Sequence, residues 1–150
     1  MFKNILCPID LKPRSRMALR KALNIAHQFN SSVLILNVNE SFSSKKEMVM
    51  SRVSVSNLQN QFKEIALKAK DDMKNLVKDL ETDNIKCDYL LRDGKVSQVI
   101  HDIIDEKDID LVVIGTNGRD SVSEMILGST AEQIVKNLKC PVLVIPRGDD

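Results

Sequence analysis

The sequence predicts an α/β fold in which a parallel β-sheet is covered by helices on both faces. Three observations predict it. Strand-length apolar runs alternate with helical patterns in the order β-α-β-α-β-α-β-α-β. The strand-length runs are continuously apolar rather than alternating, as strands covered on both faces are. The longer segments repeat apolar residues at i, i+3, i+4 and i+7, the stripe of a helix docked on a sheet. Strand–helix alternation in turn implies parallel neighbours joined by right-handed crossovers.

Each element follows in order. The first strand is the short apolar run Phe2 to Ile9, closed by Pro8 and Asp10. A helix over Arg14 to Phe29 presents Ala18, Leu19, Ala22, Leu23, Ile25, Ala26 and Phe29 on one face. Val33 to Val38 is rich in β-branched residues and reads as the second strand. Asn57 to Leu80 carries Leu58, Phe62, Ile65, Ala69, Met73, Leu76, Val77 and Leu80 at helical spacing. Asp88 to Leu91 is a weaker third strand, and Val96 to Ile104 a third helix. Leu111 to Ile114 forms a strand ending at Gly115. A last helix over Ser129 to Leu138 precedes the strand Val142 to Ile145, which lies between Pro141 and Pro146. One segment breaks the regularity: Glu40 to Ser56 is rich in serine and charge and too long for an ordinary connection. It reads as a mobile or functional loop.

Composition bounds the function. At 150 residues the chain is expected to form one domain, 1–150, with a core that needs no metal or disulfide staple. Its 22 Lys+Arg against 21 Asp+Glu leave a formal charge of +1, without the basic excess of a general nucleic-acid binder. Aromatic residues are 3% of the chain, so no base-stacking platform is visible. No apolar run approaches the roughly 20 residues that span a bilayer, and the N-terminus lacks a signal peptide's apolar core. Cys7, Cys87 and Cys140 are odd in number and show no Cys-x-x-Cys, as expected of reduced thiols in a cytoplasmic protein.

Ligands of open parallel sheets bind at the carboxyl ends of the strands, where the strand order reverses. Asp10 follows the first strand. Its carboxylate can coordinate Mg²⁺, accept from a ligand hydroxyl or amine, or simply cap a turn near Pro13. The fourth strand ends in Gly115-Thr116-Asn117-Gly118-Arg119, and Gly128-Ser129-Thr130 opens the last helix. Glycine lets backbone turn sharply and approach a ligand closely. Free N–H groups at a helix N-terminus favour an anion, and the hydroxyls of Ser129 and Thr130 add donors. The pattern G-x₂-G-x₉-G-[ST] therefore reads as a phosphate-binding concavity built from two loop segments. A P-loop, a Rossmann fingerprint and the acidic cluster of a receiver domain are all missing. His27 and His101 fall within helices far apart in sequence, and no metal spacing or catalytic triad is legible.

These motifs resemble the universal stress protein family, in particular its ATP-binding branch. The matching parts are Ile5-Leu6-Cys7-Pro8-Ile9-Asp10, the helix start Ser15-x-x-Ala18-Leu19, Val33 to Val38, and Gly94 before the third helix. Asp110 to Arg119, Gly128-Ser129-Thr130-Ala131 and Cys140 to Pro146 complete the match. The resemblance implies a three-layer sandwich, a five-stranded parallel sheet of order 3-2-1-4-5 with four helices, of the adenine nucleotide alpha-hydrolase-like kind. It implies ATP across the carboxyl ends of the strands, and Mg²⁺ at Asp10 is expected alongside it from the carboxylate's own chemistry. Pro8, Asp10 and Val38 match positions near adenine and ribose, Val38 through its backbone. Gly115, Gly118, Gly128, Ser129 and Thr130 match positions around ribose and phosphates, and Arg119 is a candidate phosphate partner. It also implies a homodimer paired through Val142 to Ile145. Lys12 and Asn117 depart from residues frequent in the family, which leaves affinity and nucleotide choice open. The expected function is that of a nucleotide-dependent regulator or adaptor in a stress response, with a protein partner that the sequence does not name. The alternatives are a slow ATPase or an enzyme that autophosphorylates on Ser129, Thr130 or another loop hydroxyl, a dimeric interaction protein that binds no nucleotide, and AMP or cyclic AMP as the ligand.

Overall fold

The computed structural model describes residues 1–12, 15–40, 55–80, 82–116 and 129–146. In chain order the elements are β1 (Asn4–Pro8), α1 (Arg16–Phe29), β2 (Ser32–Asn39), α2 (Val55–Val77) and β3 (Cys87–Asp93). They continue with α3 (Val96–Glu106), β4 (Leu111–Gly115), α4 (Ser129–Asn137) and β5 (Val142–Ile145). The sheet runs β3-β2-β1-β4-β5, and every neighbouring pair is parallel. The four helices of the described residues are those expected from the periodicity, and the strand order is the one the family resemblance implies.

The two faces of the sheet carry separate cores, and the period-two alternation of each strand assigns them. Ile5 and Cys7 of β1, Val33 and Ile35 of β2, and Leu111 and Val113 of β4 pack on one face. There they meet Leu19, Ala22, Leu23 and Ala26 of α1 and Met73 and Val77 of α2. Leu6, Leu36, Val112 and Ile114 face the other way, against Val99, Ile100, Ile103 and Ile104 of α3 and Ala131 and Ile134 of α4. A strand buried on both faces must be apolar at every position, which is why these runs do not alternate in the sequence.

Element ends differ from the expectations for local reasons. β3 extends through Arg92 and Asp93, beyond the apolar run, because it is an edge strand paired only with Val33–Asn39. Its polar end faces water, and Arg92 reaches Glu106 at 2.8 Å. α1 stops at Asn30, which adopts the left-handed conformation (φ 54°) and donates its N–H to the Ala26 carbonyl. α2 ends at Val77 rather than Leu80, with the Leu80 amide turned back onto the Val77 carbonyl at 2.9 Å. Of the expected loop Glu40 to Ser56, residues 41–54 lie outside the described residues, while Val55 and Ser56 already belong to α2.

Candidate functional site

Strand order reverses between β1 and β4: from β1 the chain crosses to β2 on one side, and β4 lies on the other. A cleft of about 180 Å³ opens there at the carboxyl edge. Its floor is made by strand ends, Pro8 to Asp10 after β1, Leu36 and Val38 on β2, and Ile114 to Thr116 after β4. Ser15 and Ala18 of α1 form one wall, and Val96 and Ile100 of α3 with Ala131 and Ile134 of α4 form the other. Four residues singled out from the sequence thus converge from three strands: Pro8, Asp10, Val38 and Gly115. Ser129 and Thr130 are the first two residues of α4, one turn before Ile134 in the wall. Asn117, Gly118, Arg119 and Gly128 lie outside the described residues.

Asp10 sits in a compact polar turn. Its Oδ1 accepts from the Ser15 hydroxyl at 2.5 Å and from the Lys12 amide at 3.0 Å. The Asp10 amide in turn donates to Ser15 Oγ at 3.3 Å. Leu11, enclosed by this turn, holds φ 64°, a conformation that costs a branched residue about 1–2 kcal/mol. Ser15 stands at the N-cap of α1, yet its hydroxyl serves Asp10 and makes no side-chain capping bond. The carboxylate therefore fills the turn role and faces the cleft as well. As a metal ligand it stands apart: among the described residues no three His, Cys, Asp or Glu side chains gather around one point. That donor set fits Mg²⁺ only as one protein ligand to an ion carried by substrate phosphates, the usual Mg²⁺ arrangement.

Gly115 ends β4 at the cleft with its φ outside the positive region. Among the described residues, a Cβ added there would meet only the Ala18 methyl, at an ordinary 3.8 Å. The packing of the described residues does not require glycine at this position. What glycine leaves is space on the cleft side.

Three cleft-shaping residues were not apparent as such from the sequence. Asn37, 9% exposed, donates from Nδ2 to the Ile9 carbonyl at 3.0 Å and ties the end of β2 to the β1 turn. Its signal was the polar interruption of the run Val33 to Val38. Glu40 accepts from the Val96 amide at 3.0 Å through Oε1, a partner 56 residues away that no local pattern announces. Thr116 donates its amide to the Ile145 carbonyl at 3.0 Å and so fixes the chain beyond Gly115.

The remaining groups lie elsewhere. His27 and His101 sit in α1 and α3, outside the cleft walls. Burial, reinforced by Cys87, pushes the Cys7 thiol from its ordinary value near 9 up to about 12. Burial also raises Cys87, with Asp88 adding to the shift, and Cys140, with Asp110 adding. All three shifts disfavour the thiolate that redox or nucleophilic chemistry requires. No helix among the described residues is long and apolar enough to cross a membrane.

Comparison with known proteins adds to this geometry. A family model described as the Universal stress protein family matches residues 1–146. Universal stress protein MJ0577 of Methanocaldococcus jannaschii is 28% identical over 156 residues, covering 98% of this chain and 96% of that protein. The solved structure of MJ0577 superposes with a TM-score of 0.76 at 27% identity, over 100% of this chain and 99% of the other. A universal stress protein solved in complex with cAMP shares the fold at 18% identity and a TM-score of 0.63, over 98% of each chain. One from Archaeoglobus fulgidus in complex with dAMP does so at 18% identity and 0.64, over 96% of this chain and 97% of the other.

Proposed function

We infer the function from one premise: the chain belongs to the universal stress protein family. On that basis it binds an adenine nucleotide, ATP in the first place, in the cleft at the carboxyl edge, and acts as a nucleotide-dependent regulator or adaptor in a stress response. The observation that carries this reading is the convergence of Pro8, Asp10, Val38 and Gly115 with the first turns of α4 on one cleft at the strand reversal. Adenine lies against the Val38 backbone and the apolar walls. Asp10 accepts from the ribose, and the phosphates lie toward Gly115, Ser129 and Thr130, where a helix N-terminus favours negative charge. The family resemblance assigns Gly118, Gly128 and Arg119, which lie outside the described residues, to the phosphate end as well. Asp10 and the nucleotide phosphates would together hold Mg²⁺, which when bound would offset the phosphate charge. Fold relatives solved with cAMP and with dAMP support adenine as the base. The same reading makes the protein a cytoplasmic homodimer paired through Val142 to Ile145.

Calorimetric titration of ligand-stripped protein with ATP and Mg²⁺ tests it. The expected result is saturable binding with one site per chain, weakened at least tenfold by Asp10→Ala. Absence of saturable binding up to millimolar ATP overturns it.

A further inference from the structure

Two helices present their N-termini to this cleft, α3 through Val96 and α4 through Ala131. Each is a place where backbone amides and the helix dipole attract an anion. A nucleotide in the cleft therefore has two directions in which its phosphates could run. We propose that Glu40 settles the direction, by filling the α3 terminus with its own carboxylate and leaving to the phosphates α4, whose first-turn Glu132 is already paired with Lys136 at 2.7 Å. The proposal rests on the nucleotide reading above and names the residue that sets ligand polarity.

α3 has no anion of its own at its N-terminus. No acidic residue lies in its first turn, and Lys95 at the N-cap makes no side-chain capping bond. Lys95 is exposed and carries a positive charge, so the terminus by itself combines a dipole end, open amides and a cation. Gly94, at φ 132°, swings the chain from β3 directly into this end of the helix. The missing anion comes from another strand: Glu40, one residue beyond β2, accepts from the Val96 amide at 3.0 Å. A carboxylate on a helix-terminal amide satisfies the donor and opposes a second anion by like-charge repulsion.

The same contact positions the base end. Val38 lies between two polar ties, Asn37 to the Ile9 carbonyl and Glu40 to the Val96 amide, both 3.0 Å long. The strand end that would meet adenine is thus pinned to the β1 turn on one side and to α3 on the other. Glu40 is a positioning residue: it acts on the ligand through charge and through α3.

The test uses backbone amide resonances of the whole chain, titrated with ATP and, separately, with inorganic triphosphate, which has no base to fix its direction. Wild type is compared with Glu40→Gln, which keeps the shape and the acceptor, and with Glu40→Lys. Dispersed spectra verify folding. In wild type both ligands should shift the amides of Ser129 to Ala131, and triphosphate should leave Val96 to Gln98 unmoved. In Glu40→Gln, triphosphate should shift Val96 to Gln98 as well, and Glu40→Lys should do so at about tenfold lower concentration. Identical responses at Val96 to Gln98 in all three proteins overturn the role of Glu40 while leaving nucleotide binding intact. Failure of ATP to shift any amide of wild type overturns the nucleotide reading and this assignment with it.

Discussion

Gly115 shows how a single position divides fold from function. Nothing among the described residues crowds its α-carbon, and its backbone is not in the region reserved for glycine. Alanine there removes backbone freedom from the unfolded chain and meets the Ala18 methyl at a comfortable distance. Gly115→Ala should therefore leave Tm unchanged or raise it slightly, as thermal unfolding would show. The added methyl stands where a ligand would approach the strand end, so ATP affinity should fall about tenfold, or ~1.4 kcal/mol. A loss of stability without a loss of affinity would mean that the glycine serves packing after all. Asp10 and Gly115 were legible as candidates in the sequence, because each sits where an apolar run ends, whereas Pro8 and Val38 were singled out only through the family resemblance. Glu40 and Ser15 were not legible as site residues. Their roles depend on partners fixed by the fold, the Val96 amide in one case and the Asp10 carboxylate in the other.

At the scale of the element, the link from β3 to α3 is a tight passage beside the cleft. Gly94 holds φ 132°, and a Cβ there would lie 3.1 Å from Val99 Cγ2. Both facts oppose any side chain, so Gly94→Ala should cost about 1–3 kcal/mol, the range for a residue forced into such a conformation. Differential scanning calorimetry should show Tm falling by several degrees, since 1 kcal/mol moves a domain of this size by about 2–4 °C. An unchanged Tm would contradict the account of this turn. The elements themselves were largely readable from periodicity, because every helix docks one apolar stripe and β1, β2 and β4 are buried on both faces. The ends were less so. β3 gains Arg92 and Asp93 from pairing with β2, a property of its place at the sheet edge and not of its own composition.

For the whole molecule, the sheet formed by the described residues leaves two open edges, β3 and β5. The amides of Val112 and Thr116 donate to the carbonyls of Pro141 and Ile145, so the odd-numbered residues of β5 serve β4. Val142 and Val144 consequently turn their backbone groups to the open side, beside the exposed Leu143. An open edge of this kind is a template for pairing with a second strand, and a two-fold axis there would satisfy both copies. Val144→Pro removes an outward N–H and spares the β4–β5 ladder, the one setting in which an edge strand accepts proline. Light scattering after size exclusion should show a dimer for wild type and a folded monomer for Val144→Pro. A wild-type monomer, or a variant dimer as tight as wild type, would contradict pairing through this edge.

The cleft at the strand reversal is where residue, element and molecule meet, and a crystal structure of the protein grown with ATP and Mg²⁺ addresses it most directly. The account predicts one nucleotide per chain, its base against Val38 and its phosphates against the first turn of α4. An ordered cleft without nucleotide at saturating ATP, or a nucleotide bound elsewhere on the surface, would contradict it.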